Sequence, residues 1–206
     1  MISSPEPGGV RLGPAAYQQS RTGNIILTPM PHIESGSPDL SCPENRAVLA
    51  HWMELRDCAP VPARERFNPM RLPRMLPHII MLEPQGHESA IVRTFGTELA
   101  RRLGLDLTGI DMVTMYQGPR RRDLMELLCM LRNQQVIAVA HTRWTTPNGH
   151  EFTTENLWLP FAGADGEVSR IMGALHEPQA PPANLDTLGG TFEDAQQSTE
   201  RRYYRV

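Results

Sequence analysis

The 206-residue chain contains no lysine, and all 20 of its basic residues are arginine. That removes Schiff-base chemistry, the P-loop lysine and every other mechanism that needs a titratable side-chain amine. No apolar run approaches the roughly 18 residues a membrane-spanning helix needs, so no membrane span is expected. The net charge of −3 gives no global basic field, and nucleic acid is not an expected partner. Three cysteines, Cys42, Cys58 and Cys129, form an odd set without C-x-x-C spacing, and Met1-Ile2-Ser3-Ser4-Pro5 lacks the charged and apolar regions of a secretory leader. A reduced, cytoplasmic setting is the expectation. No phosphate-cradling loop is present, since Gly8-Gly9 and Gly189-Gly190 both sit in polar, structure-poor surroundings.

What the chain does have is a patterned centre between two Pro-rich ends. Residues 1–40 are rich in Pro, Gly and Ser, broken only by Asn24-Ile25-Ile26-Leu27, and are expected to form a disordered arm. Residues 178–206 begin Pro178-Gln179-Ala180-Pro181-Pro182 and are expected to be a disordered tail, with a transient helix near 192–204 as its only local order. Ser41-Cys42-Pro43-Glu44 fits a capping box, and Val48, Trp52 and Leu55 recur at helical spacing, which predicts a helix over 43–56. Prolines 60 and 62 end it. His78 to Glu83 and Ala90 to Phe95 read as a hairpin around Pro84-Gln85-Gly86. Thr97 to Leu103 reads as a short helix stopped by Gly104, and Pro119 to Gln134 as a longer one with Leu124, Leu127, Leu128 and Leu131 on one stripe. Strands over 136–145, 151–161 and 167–177 follow, joined by turns with Asn148-Gly149 and Asp165-Gly166. The element string calls for an α+β domain over 41–177, an antiparallel sheet with helices segregated to one side.

Several phrases go further than element order. Trp52-Met53-Glu54-Leu55-Arg56, Leu72-Pro73-Arg74-Met75-Leu76-Pro77-His78-Ile79, Phe95-Gly96-Thr97-Glu98-Leu99, Leu103-Gly104-Leu105-Asp106-Leu107-Thr108-Gly109 and Leu159-Pro160-Phe161 together resemble a bacterial subfamily of single-domain PAS proteins. The resemblance implies a five-stranded antiparallel sheet in the order 2-1-5-4-3, helices on one face and a leading N-terminal helix. It also implies a non-catalytic sensor or adaptor in signalling that binds a small ligand, a signalling protein partner, or both. The alternative is a purely structural interaction domain with a fully packed core.

PAS pockets often hold haem, flavin or metabolites. The helix over 119–134 has no histidine to serve as an axial haem ligand, and Leu128-Cys129-Met130-Leu131 lacks the polar neighbours of a flavin-reactive cysteine. Neither cofactor is expected, and Cys129 reads as a small buried hydrophobe. Phe95, Trp144, Phe152 and Trp158 fall on strands and are the candidate ligand-lining residues, with His141 held beside them as a reserve. The pairs Asp106/Asp111 and Glu151/Glu155 read as solvated turn and strand charges rather than acid/base machinery. The stripe Val48, Trp52 and Leu55 lies outside the five-strand core and needs an apolar partner, either the domain's own outer sheet face or a second copy in a homodimer.

Overall fold

The computed structural model describes residues 30–86, 88–145, 149, 151–177 and 196–205. From Ile33 onward these form one compact unit. Residues 1–29 and 178–195, which carry most of the expected arm and the start of the expected tail, lie outside the described residues.

A short strand, β1 (Ile33–Ser35), precedes helix α1 (Pro43–Arg56). The proline-punctuated stretch that follows cannot sustain an α-helix and makes single 3-10 turns at Arg64–Arg66, Pro69–Arg71 and Leu76–His78. Then come the hairpin β2 (Ile79–Gln85) and β3 (Ser89–Phe95), helix α2 (Thr97–Leu103), a 3-10 turn at Met112–Met115 and helix α3 (Gly118–Asn133). Three long strands, β4 (Ile137–Thr145), β5 (Glu151–Ala162) and β6 (Val168–His176), and a last strand β7 (Gln196–Arg205) complete the order.

All strands among the described residues lie in one sheet, ordered β1-β7-β4-β5-β6-β2-β3. The five strands expected from sequence sit side by side in it, but the sheet is seven-stranded and mixed rather than five-stranded and antiparallel. β7 runs antiparallel along β4, and β1 runs parallel to β7. Part of the expected tail, including its transient helix at 192–204, is therefore strand over 196–205. Its side chains are mostly polar, and only Tyr203 and Tyr204 are buried apolar anchors. The nine register pairs with β4 hold it in place of a hydrophobic stripe.

The helices between the strands lie on one face of the sheet, as expected, and the leading helix covers the other. On the outer face, Val48, Leu49 and Trp52 of α1, with Phe67 and Leu72, pack on Val139, Leu157, Leu159, Phe161, Met172 and Ala174. On the inner face lie α2 and α3. This double cover explains the unbroken burial from Glu155 to Phe161 in β5, a run that alternation alone would not produce. Pro160 is tolerated there because β4 stops short of it. The β4 ladder ends at Ala138 opposite Trp158, and two residues past Pro160, Ala162 donates to Pro62 O instead (2.9 Å). Pro160 contributes only its carbonyl, which accepts the Trp52 indole N–H at 2.9 Å.

The glycine of Phe95-Gly96-Thr97 has a steric cause. Its N–H donates to Ile79 O at 2.8 Å, and a β-carbon there would collide with the Pro77 carbonyl. Asp106 and Asp111 are turn locks. Asp106 accepts from the Thr108 N–H and hydroxyl, and Asp111 accepts from the N–H groups of Ala90 and Val113.

Candidate functional site

Between the inner sheet face and the helical cover is a cavity of about 180 Å³. The sheet's alternation decides what it meets. Ala140, Thr142 and Trp144 from β4 and Phe152, Thr154, Asn156 and Trp158 from β5 share one face, and β7 adds Thr199 and Arg201. α2 supplies Leu99, Arg102 and Leu103, α3 supplies Arg120, Asp123, Leu124 and Leu127, and Tyr116 closes the gap between them. The walls are mostly apolar, with Trp144 and Phe152 stacked nearly parallel, their centroids 6.1 Å apart. Trp158 lies against Gly173, where a β-carbon would come within 2.7 Å of the indole. A side chain at 173 would displace that wall.

The polar groups form two sets. Near α2, Arg102 pairs with Glu98 at 2.8 Å and with Glu177. The hydrogen bonds of Arg101 and Arg102 outweigh slight burial and hold the Glu98 carboxyl at about 2. Burial pushes the Tyr116 phenol up to about 12, so it stays neutral. On the sheet, Asn156 donates to the Thr142 hydroxyl at 3.1 Å, which meets the Thr199 hydroxyl at 3.1 Å. The Trp144 indole donates to Thr154 at 3.0 Å. Among the buried polar atoms of this lining, Asn156 Oδ1 and Arg201 Nε have neither a hydrogen bond nor an ion pair, whereas Glu177 Oε1, which also lacks a hydrogen bond, is ion-paired to Arg102.

All four aromatic candidates, Phe95, Trp144, Phe152 and Trp158, line this cavity. His141 does not. It sits one residue out of phase, on the outer face, with Nε2 3.4 Å from Glu155 Oε2. Cys129 is exposed rather than buried, its sulfur accepting from Asn133 at 3.3 Å. The stripe expected as an interface is an intrachain one. Val48 and Trp52 are 0% and 1% exposed in contact with their own sheet, and Leu55 packs at the margin of the same cluster.

Sequence reasoning missed the polar network under α1. Glu155 was expected to be a solvated strand charge, yet it is fully buried. Its carboxylate accepts from the N–H groups of Ser41 (2.6 Å) and Cys42 (3.1 Å) and from Asn45 Nδ2 (3.0 Å). The Ser41/Glu44 capping box is corrected by the same contacts. Cys42 is the N-cap and offers no side-chain cap, so a carboxylate from β5 satisfies the helix entry instead. Asn45 Oδ1 then meets His176 Nδ1 at 2.8 Å, and His176 stacks on His78 at 4.7 Å. The signal was Glu155-Asn156, two polar residues opening an apolar strand, but its distant partners are invisible in sequence.

This network fixes a pH dependence. Burial, followed by the neighbouring His78, brings the His176 imidazole down to about 4. Burial, followed by Arg102, lowers His78. Burial opposes ionisation of Glu155, but the hydrogen bonds from Asn45, Ser41 and Cys42 leave its pKa below the usual carboxylate range. A histidine whose folded pKa lies below its unfolded pKa leaves the unfolded chain binding more protons. Its stabilisation is complete above about pH 6.5 and falls as the pH drops toward 4. From His176 alone, denaturant unfolding should lose about 2 kcal/mol between pH 7.5 and pH 5. Glu155 adds loss only at still lower pH. A flat stability profile across that window would contradict the buried neutral histidine.

No curated protein sequence matches the chain. Among solved structures it is similar to VqmA bound to DPO, with 12% identity and a TM-score of 0.41, covering 52% of this chain and 55% of that one. It is similar to a light-oxygen-voltage domain studied with a flavin analogue, at 12% identity and a TM-score of 0.36, covering 48% and 75%. It is also similar to a PAS domain from Colwellia psychrerythraea, at 14% identity and a TM-score of 0.37, covering 52% and 93%. The family model for the PAS domain matches residues 40–176, from the residue before the Glu155-held helix entry to the end of β6. The chain belongs to the PAS domain family.

Proposed function

We propose that this chain is a non-catalytic sensor module of bacterial signalling that binds a small molecule in the cavity between its sheet and α3. The observation that carries the proposal is the cavity itself, bounded by Phe95, Trp144, Phe152 and Trp158 on strands that the domain's own packing holds rigid. A packed structural domain has no reason to leave an apolar hollow with unpartnered polar atoms on its wall. The family membership supports the sensor role, and a ligand would act by its unequal affinity for two states of the domain. Partner choice and cytoplasmic location belong to the same proposal. No helix among the described residues is long and apolar enough to cross a membrane.

The test is native mass spectrometry of the full chain purified from its own host. A retained adduct of one discrete mass, lost in Trp158→Ala with the domain still folded, supports the proposal. A bare chain mass across independent preparations, with no small molecule raising its melting temperature, supports the interaction-only alternative.

A further inference from the structure

β7 lies beyond the stretch that matches the family, yet it forms one side of the cavity. The register shows what it adds. Asn156 is opposite Ala140, and Ala140 is opposite Arg201 on its other side, so the three residues make one row across β5, β4 and β7. Neighbouring strands lie about 4.8 Å apart, so the row is a shallow trough with a methyl group as its floor and a polar side chain on each bank. The next row, Thr154, Thr142 and Thr199, closes one end: the Thr142 hydroxyl meets Thr199 and accepts from Asn156, while the Thr154 hydroxyl accepts from the Trp144 indole. α3 holds the far bank in place: Arg201 donates to Asp123 O at 2.9 Å, and the Tyr203 hydroxyl donates to Glu126 at 3.1 Å.

Each bank carries a buried atom that the protein leaves unsatisfied. Asn156 is 7% exposed, and one end of its amide is used by Thr142 while Oδ1 has no partner. Arg201 uses a terminal nitrogen on α3, while its buried Nε–H has none. Leaving a buried polar group unmatched costs about 1–3 kcal/mol, and two facing one cavity are a strong reason to look for a third party. An acceptor on one bank and a donor on the other ask for a ligand with the complementary pair. The charges at the wall nearly cancel, since Arg102, Arg120 and Arg201 face Asp123 and Glu177, with Arg102 already bound to two carboxylates. A neutral ligand suits that balance. A volume of about 180 Å³ is a little above the roughly 150 Å³ that admits benzene and below the roughly 300 Å³ of drug-sized sites.

We propose that Asn156 and Arg201 are the specificity-determining pair of this cavity. Their ligand is a neutral one- or two-ring molecule that gives Asn156 an N–H or O–H and accepts from Arg201 through a carbonyl or equivalent oxygen or nitrogen. The inference rests on the cavity being a ligand site.

Three probes of nearly equal size test it by calorimetry on the full chain: 4-quinolone, with an N–H and a carbonyl; indole, with a donor only; and quinoline, with an acceptor only. 4-Quinolone should bind about ten-fold more tightly than either of the others. In Asn156→Leu its affinity should fall to that of quinoline while quinoline is unchanged, and in Arg201→Met it should fall to that of indole while indole is unchanged. The unchanged probe in each variant reports that the cavity is intact. Equal affinity of all three probes for the wild type, or variants that weaken all three alike, would overturn the recognition pair and leave the cavity reading standing. Binding of none at millimolar concentration would overturn both.

Discussion

Replacing Trp52 by Ala should lower the unfolding free energy of the domain by about 3–5 kcal/mol. The indole is 1% exposed and sits at the centre of the outer-face cluster with Val48, Leu49, Leu159 and Phe161. Removing it leaves a hole on both the α1 and the sheet side, because neither a helix held by Glu155 nor a sheet held by its ladders can collapse into the space. The Pro160 carbonyl also loses its donor, at a point where the β4 ladder has already ended. Urea unfolding should show a lower midpoint with an unchanged slope, and Trp52→Phe should recover most of the packing but not the hydrogen bond. A loss below about 0.5 kcal/mol, the range of surface substitutions, would mean that α1 does not rest on this face. The same burial settles how the stripe is used: its residues are committed inside one chain, so the variant changes stability first.

Replacing Glu155 by Ala should cost about 3–5 kcal/mol, the range found when one member of a buried charged network is deleted. Three donors, the Ser41 and Cys42 N–H groups and Asn45 Nδ2, lose a shared acceptor that is itself fully buried. Asn45 Nδ2 retains the Glu155 backbone carbonyl at 2.9 Å, so the damage concentrates at the helix entry. Amide hydrogen exchange should therefore separate the mechanism from general loosening. Protection at Ser41 and Cys42 should fall by more than protection at Leu157 and Leu159, and Glu155→Gln should fall between wild type and Ala, since it keeps one acceptor but turns a second N–H toward existing donors. Equal loss of protection everywhere would make Glu155 an ordinary core residue rather than a helix clamp.

How much of this was legible in sequence follows the physics of each contact. Helix α2 and the strand segments were readable because turn residues and local alternation bound them, and the four aromatic lining residues were readable because strand parity puts a bulky ring on one of only two faces. His141 failed on the same rule: parity puts it on the other face from its neighbours Ala140 and Thr142, and so from Trp144, which shares their parity. β7 was missed because its strand state is conferred by β4, not by its own composition. Ser41-Cys42-Pro43-Glu44 reads as a local capping box, yet a carboxylate 113 residues away takes the role, and no local pattern could announce that partner.

The parallel pairing of β1 with β7 joins Ile33 to Tyr203, almost the full span of the compact unit. Closing a chain of about 170 residues has a length-dependent cost of roughly 4–5 kcal/mol, and the three register pairs between these strands are too few to offset it alone. Their pairing can persist only after β4 has already seated β7. The dependence runs one way at this margin: β1 pairs only with β7, and β7 is held by β4, so hydrogen exchange should find β1 less protected than β7 and β7 less protected than β4. β7, which carries Arg201, is thus the strand on which β1 depends, and a ligand held against Arg201 would stabilise β1 as well as the cavity wall.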